Sequence, residues 1–317
     1  MRSAAEITVY GMVPTPFDDD GAVDLDAYGR LVDRMARANI GVYLGSGGAG
    51  EGHALEVGEL RDLYRVGVDV AGHRVPVAAN PREPRTAAQM LELALVAADQ
   101  GVDLVQLYSL DAGHGMQPTP VELERYYRFV LDRLSHPVAI SVHAYYPYRV
   151  PPSLLADLCA DYPNVEAVNV IMPMPYYLEV RKALAGSGRP IRLYTSIVTL
   201  VDGLYAGSWG CQAAEPNLIP HTMRRFVDAI VSGDTETASR LYVFVFELMG
   251  VVQQWAPSTA RWLKMALRVL GLPGANGVLR EPYVLPADDQ LDKMRRELVA
   301  LRVEEVEAES AALAGCG

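Results

Sequence analysis

Residues 40–71 read IGVYLGSGGAGEGHALEVGELRDLYRVGVDVA and combine the three parts of one βα unit. The apolar run 40–44 predicts a buried strand, and the residues after the glycines follow helical spacing. Five of the eight residues in Gly45–Gly52 are glycine. A glycine-rich turn between a strand and a helix presents backbone N–H groups, which bind anionic oxygens. The turn lacks the Gly-Lys-Ser/Thr of a Walker motif, and Glu51, which we expect to cap the following helix, interrupts any dinucleotide-type glycine pattern.

The same alternation of strand and helix continues along most of the chain. The predicted strands cover 9–13, 40–44, 75–79, 103–107, 137–142, 165–170, 191–194 and 210–214. Each run is short and nearly continuously apolar, as expected for parallel strands that are buried on both faces. Eight successive units favour a (β/α)8 TIM barrel over a doubly wound sheet. We therefore expect a barrel over residues 1–232 and a C-terminal helical extension, packed on the barrel, over 233–317.

Composition and charge limit the classes of partner. The 317 residues carry a formal net charge of -11, which disfavours nucleic acid and anionic membrane surfaces as partners. No run approaches the roughly 20 uninterrupted apolar residues of a membrane span, and no signal peptide is recognisable. The three cysteines, Cys159, Cys211 and Cys316, are an odd number without close pairing. These features predict a cytoplasmic protein in a reducing compartment.

Several titratable side chains follow the predicted strand ends, where the reactive groups of TIM barrels lie. His143 ends the fifth strand, and a histidine near neutral pH can take up and return a proton. Tyr145 can donate a phenol hydrogen, and Glu215 after the eighth strand can act as a base. His114 follows the fourth strand in a Gly-His-Gly loop. We expect catalytic roles for these residues; the alternatives are supporting or solvated histidines, tyrosine packing and a structural ion pair.

The order of these motifs resembles the dihydrodipicolinate synthase / N-acetylneuraminate lyase family of class I aldolases over about residues 9–286. The opening Gly11–Phe17, GMVPTPF, resembles that family's first strand and turn. Gly47–Glu51, GGAGE, lies where the family carries Gly-x-Thr-Gly-Glu, and Gly207–Asn217 resembles its eighth strand. Trp262–Leu267 resembles the helix before its Leu-Arg-x-Pro segment, here LREP. The resemblance implies a TIM barrel, lyase chemistry and assembly as a homodimer or homotetramer.

One departure from the family removes its covalent chemistry. The family's Schiff-base lysine ends the sixth strand, and here the matching run NVEAVN ends in Asn169. Because an amide nitrogen cannot condense with a carbonyl, we expect Asn169 to act instead as a noncovalent donor to a carbonyl or enolate oxygen. The chain contains three lysines, Lys182, Lys264 and Lys293, and none of them ends a predicted strand.

The second departure concerns the glycine loop, which lacks the hydroxyl side chains that the family uses to relay protons. We expect Gly47, Gly48 and Ala49 to bind a substrate carboxylate, while the fourth, fifth and eighth strands supply the proton chemistry. Arg149 can form a bidentate pair with a carboxylate or a surface salt bridge. Ser196, at the end of the seventh strand, completes the predicted substrate-binding residues.

These observations predict a lysine-independent lyase in specialised biosynthesis. Its substrate would be a small oxo acid or an amino-acid-derived carbonyl or imine compound, converted by elimination, cyclisation–dehydration or retro-aldol cleavage. The alternatives are a class I pyruvate aldolase with a displaced lysine and a non-catalytic ligand-binding barrel. A metal site formed by His143, His114 and Glu215 is a further alternative, which no close ligand spacing supports. We expect a small carboxylate as the partner, with no cofactor and no bound metal.

Overall fold

The structure, a computed structural model, describes residues 3–79, 81–255, 258–302 and residue 305. Eight parallel strands form a closed barrel in which each strand pairs with its neighbour in sequence and the last pairs with the first. The strands are β1 (Thr8–Met12), β2 (Gly41–Leu44), β3 (Val77–Ala79), β4 (Leu104–Leu107), β5 (Val138–His143), β6 (Val165–Ile171), β7 (Arg192–Ser196) and β8 (Gly210–Ala213). The predicted (β/α)8 TIM barrel is confirmed.

Within the described residues, eight helices follow the strands and three more come after the barrel. They are α1 (Leu25–Arg37), α2 (Val57–Ala71), α3 (Ala87–Asp99), α4 (Pro120–Leu131), α5 (Pro152–Asp161), α6 (Met174–Leu184), α7 (Leu200–Tyr205), α8 (Pro220–Ser232), α9 (Thr235–Val252), α10 (Thr259–Leu270) and α11 (Asp288–Ala300). Helix α8 is followed by Gly233, whose φ of 79° is left-handed, and α9 begins two residues later. Residues 303–304 and 306–317 of the expected extension lie outside the described residues.

Local side-chain hydrogen bonds fix where the predicted helices begin. The carboxylate of Asp24 accepts the backbone N–H of Ala27 at 2.9 Å, and α1 begins at the next residue. The hydroxyl of Thr86 accepts the backbone N–H of Gln89 at 3.2 Å at the start of α3. Each cap satisfies a backbone donor that the first helical turn leaves free.

Aromatic side chains fill the barrel interior below the strand ends. The ring of Tyr10 packs edge-on against Tyr43 and Tyr194, with centroid separations of 4.7 and 5.4 Å. Small residues on the neighbouring strands, including Ala139 and Ala167, make room for these rings. The interior is therefore a packed core, as in other TIM barrels, and a ligand must enter at the carboxyl ends of the strands.

The closure of the barrel depends on a glycine at the first residue of β8. Gly210 pairs with Thr8 of β1 and has φ 133°, a conformation that side chains other than glycine's rarely adopt. A Cβ atom at Gly210 would lie 1.8 Å from the carbonyl oxygen of Thr8. Only glycine fits where the last strand meets the first.

The sequence also predicts free cysteines and the absence of a membrane-spanning segment. Cys159 and Cys211 are buried free thiols, while Cys316 lies outside the described residues. Across the part of the chain that the structure describes, no helix is both long and apolar enough to cross a membrane.

Candidate active site

A cavity of about 320 Å³ opens at the carboxyl ends of the strands. It brings together four of the predicted site residues: His143, Tyr145, Ser196 and Glu215. The rest of its wall comes from strand ends and from the region of α9 and α10, and includes Met12, Ile171, Gln212, Met249, Gln253, Thr259 and Trp262. The strand-end rule could not identify the residues of α9 and α10, because they follow no barrel strand.

His143, the last residue of β5, is held in a dry and aromatic environment. Its ring stacks between Tyr108 and Tyr145, each with a centroid separation of 5.2 Å. Its Nε2 shares a hydrogen bond of 2.7 Å with the hydroxyl of Ser141, and Nδ1 is buried without a partner among the described residues. Burial lowers the pKa of His143 to about 3. The imidazole is therefore neutral at physiological pH, which makes it a weak proton acceptor but leaves it able to form hydrogen bonds.

We expect His143 to remain neutral in the folded protein at pH 6. Its folded pKa lies below the value of about 6.5 for an exposed histidine. The unfolded chain therefore binds a proton more readily, and His143 destabilises the fold as the pH falls from about 6.5 towards 3. Nitrogen-15 NMR of the imidazole measures the charge directly, with the urea-unfolded protein as the control. A doubly protonated His143 ring at pH 6 would contradict the prediction.

Glu215, just beyond β8, is the one carboxyl group among the described residues that line the cavity. Its side chain is 6% exposed, and Oε2 accepts the backbone N–H of Ala214 at 3.1 Å. Burial raises the pKa of Glu215, while the backbone hydrogen bonds partly oppose that shift. Such a carboxyl group titrates closer to neutral pH than an exposed one, as a general base must.

The glycine loop after β2 faces a carboxyl group that the sequence interpretation did not include. A Cβ atom at Gly47 would lie 2.6 Å from a carboxyl oxygen of Glu83, which belongs to the loop after β3. Burial raises the pKa of Glu83, and the nearby His53 partly lowers it. Gly48 is exposed and Ala49 is buried, with its N–H donating to Ser46 Oγ. None of the three loop residues predicted to bind a carboxylate lines the cavity.

Glu51 at the end of this loop pairs with a lysine, and the expectation that it caps the next helix is wrong. Its carboxylate forms a buried ion pair with Lys264 of α10, and its side chain makes no capping hydrogen bond. Lys264 Nζ also donates to the carbonyl oxygen of Val278 at 2.7 Å and lies 4.2 Å from the centre of the Phe17 ring. The pair fixes the glycine loop to the C-terminal helices.

Asn169 lies in the barrel interior, below the cavity wall. Its side-chain N–H groups donate to Tyr43 Oη at 2.9 Å and to Gln106 Oε1 at 2.6 Å. Gln212 donates to the same Gln106 oxygen at 3.2 Å. Both amide hydrogens of Asn169 are engaged, so the role of oxyanion donor predicted for it has no free donor in this arrangement.

His114 and Arg149 lie away from the cavity, contrary to the roles expected for them. His114 is exposed in the loop after β4. The guanidinium of Arg149 is exposed and lies 5.8 Å from the ring centre of Tyr176. Throughout the described residues, no three His, Cys, Asp or Glu side chains converge as metal ligands would, so the alternative that joins His114 to His143 and Glu215 gains no support from their placement.

The chain matches known proteins along nearly its full length. Residues 7–301 match the model of the dihydrodipicolinate synthetase family. A 4-hydroxy-tetrahydrodipicolinate synthase of Streptomyces coelicolor is 30% identical over 273 residues, which cover 84% of this chain and 85% of that protein. The enzyme of the same name from Chlorobium phaeovibrioides is 26% identical over 289 residues, covering 90% and 92% of the two chains.

Solved structures share the fold. A dihydrodipicolinate synthase from Thermotoga maritima superposes with a TM-score of 0.84 at 19% identity, covering 94% of this chain and 99% of that one. A prophage protein of the dihydrodipicolinic acid synthase family from E. coli K12, in complex with pyruvate, has the same TM-score, identity and coverage. With the barrel, its ordered motifs and the family match over residues 7–301, the chain belongs to the dihydrodipicolinate synthetase family, a family of lyases.

Proposed function

We propose that this chain is a divergent lyase that acts on a small oxo acid or an amino-acid-derived carbonyl or imine compound without forming a Schiff base. The reaction would be an elimination, a cyclisation–dehydration or a retro-aldol cleavage, in which a proton moves next to the carbonyl or imine carbon. The names of the relatives, 4-hydroxy-tetrahydrodipicolinate synthases, support the lyase class. The proposal departs from these names because the sequence resemblance matches Asn169 to the family's lysine position.

The observation that carries this proposal is the placement of the three lysines. Lys264 is 2% exposed and is paired with Glu51. Lys182 is exposed on α6. Lys293 on α11 donates to Gln254 at 2.7 Å. None of them lines the cavity at the strand ends, so none is positioned to condense with a carbonyl group there.

The titratable groups of the cavity take different roles in proton transfer. Glu215 is the best placed general base, since this residue lines the cavity and burial raises the pKa of its carboxyl group. Tyr145, whose ring stacks on His143 at the rim, can donate its phenol hydrogen to a developing oxyanion. His143 is neutral and serves as a hydrogen-bonding partner and a support for the Tyr145 ring. Ser196 can bind a polar substrate group.

Borohydride reduction in the presence of pyruvate tests the absence of a Schiff base. We expect no covalent adduct, because no lysine lines the cavity, and intact-protein mass spectrometry would detect one. A family member that retains the lysine at the end of β6 is the positive control. An adduct mapped to Lys182 or Lys264 would establish the displaced-lysine aldolase instead.

We also propose assembly as a homodimer or homotetramer, as the family resemblance implies. Size-exclusion chromatography with light scattering measures this directly.

The non-catalytic alternative would be favoured if a ligand binds in the cavity and Glu215→Gln leaves turnover of every candidate substrate unchanged.

A further inference from the structure

We propose that the cavity selects a substrate that carries its own positive charge, as a protonated amine or a protonated imine, and that Glu215 is the counter-ion. This inference rests on the proposed function and narrows it, because it favours the amine- or imine-bearing compounds over the oxo acids. It follows from three observations: a buried carboxyl group without a cationic partner, a cavity wall without a cation, and the absence of a lysine to create an iminium.

Glu215 is a buried carboxyl group that has no cationic partner among the described residues. The residue is 6% exposed, and its carboxyl group accepts hydrogen bonds from two backbone N–H groups, that of Ala214 at 3.1 Å and its own. Within the described residues, no arginine or lysine lies within salt-bridge distance of it. Buried charges in proteins are paired or hydrogen-bonded, because leaving one unpaired costs several kcal/mol. A positive charge on a bound ligand would supply the cationic partner that the described residues do not provide.

The remainder of the cavity wall favours a cation over an anion. None of the described residues that line it is lysine or arginine. Arg149, the cation expected to bind a substrate carboxylate, lies over Tyr176 outside this wall. His143 is neutral, since burial lowers its pKa to about 3. A carboxylate bound here would meet Glu215 and no compensating charge.

Two aromatic side chains of the cavity wall can also attract a cationic ligand. Trp262 of α10 and Tyr145 both line the cavity. Indole and phenol rings attract an ammonium or iminium group over their faces, and the attraction grows when the site is desolvated. The chain as a whole, at a formal net charge of -11, also attracts cations.

A positively charged substrate would also replace what the missing lysine supplies. In a class I aldolase, the lysine converts a carbonyl into a protonated imine, which accepts electrons when the neighbouring carbon loses a proton. A substrate with a protonated C=N bond needs no such step. The Glu215 carboxylate takes the α-proton, the C–H electrons form a C=C bond, and the C=N π electrons move to nitrogen to give a neutral enamine. No oxidant or further reactant is required.

Calorimetric titration with a charge series tests the inference. The probes are cyclopentylamine, cyclopentanol and cyclopentanecarboxylate, which share one ring and differ in charge at neutral pH. We expect the wild-type protein to bind cyclopentylamine at least about tenfold more tightly than cyclopentanol, and to bind the carboxylate more weakly than either. Glu215→Gln should abolish the preference for the amine. Asp19→Asn removes one exposed charge at a residue that does not line the cavity, and it should preserve the preference.

The outcomes separate this inference from the proposed function. Equal binding of the amine and the alcohol, tighter binding of the carboxylate, no binding of the amine, or an unchanged preference in Glu215→Gln would each overturn the charge selection. The wild-type series alone decides the matter if Glu215→Gln fails to fold. A borohydride adduct with pyruvate would overturn the lysine-independent reaction whatever the charge series shows.

Discussion

Lys264→Met is expected to lower the free energy of unfolding by about 3–5 kcal/mol, because it leaves the Glu51 carboxylate buried without its partner. Both side chains are 2% exposed, so solvent cannot replace the lost ammonium. The variant also removes the hydrogen bond to the Val278 carbonyl oxygen and the contact with the Phe17 ring. Urea unfolding followed by circular dichroism measures the change.

Two controls separate the effect of burial from the loss of a lysine. Lys293→Met removes a half-exposed pair with Glu297, and exposed pairs contribute about 0–1 kcal/mol. The double variant Glu51→Leu/Lys264→Met removes both buried charges and should be more stable than Lys264→Met alone. A loss in Lys264→Met no larger than that in Lys293→Met would mean that the buried pair does not hold the glycine loop.

Gly210→Ala is expected to prevent a stable barrel from forming, with a loss of more than about 4 kcal/mol. The added Cβ atom would lie 1.8 Å from the Thr8 carbonyl oxygen, and the backbone has φ 133°. Strand β8 must therefore move away from β1, which breaks the hydrogen bonds that close the sheet. Soluble expression, circular dichroism and the thermal unfolding midpoint measure the outcome.

Gly250→Ala in α9 is the matched control for the glycine substitution. Its Cβ atom would meet open space, and alanine is a better helix former than glycine, so we expect stability to rise by about 0.5–1 kcal/mol. A Gly210→Ala protein that unfolds at the wild-type midpoint would show that the β1–β8 contact relaxes without cost.

The fold was predictable because its signals are local. Apolar runs such as 40–44 and 165–170 are buried on both faces, and a run of this kind marks a parallel strand without knowledge of its neighbours. Asp24 and Thr86 cap helices through hydrogen bonds that span three residues, so their positions are also visible in sequence. The alternation of eight such units determines the barrel, whatever the details of packing.

The site was only partly predictable, because its partners are distant in sequence. The strand-end rule located His143, Tyr145, Ser196 and Glu215 at the cavity. It could not exclude His114 or Arg149, which are exposed and do not line the cavity. The pairing of Glu51 with Lys264 depends on how α10 packs, and no spacing within the sequence encodes it. The approach of the Glu83 carboxyl group to Gly47 likewise depends on how two separate loops pack, which no local spacing encodes.

The Glu51–Lys264 ion pair also affects when parts of the fold can be completed during synthesis. A ribosome completes the glycine loop and its Glu51 early, while Lys264 emerges only after all eight strands. Until then Glu51 has no lysine to pair with, and β1 likewise lacks the strand β8 with which it pairs in the closed barrel. The glycine loop is thus synthesised early and completed late, so we expect a truncated chain lacking α10 not to hold that loop in its native form.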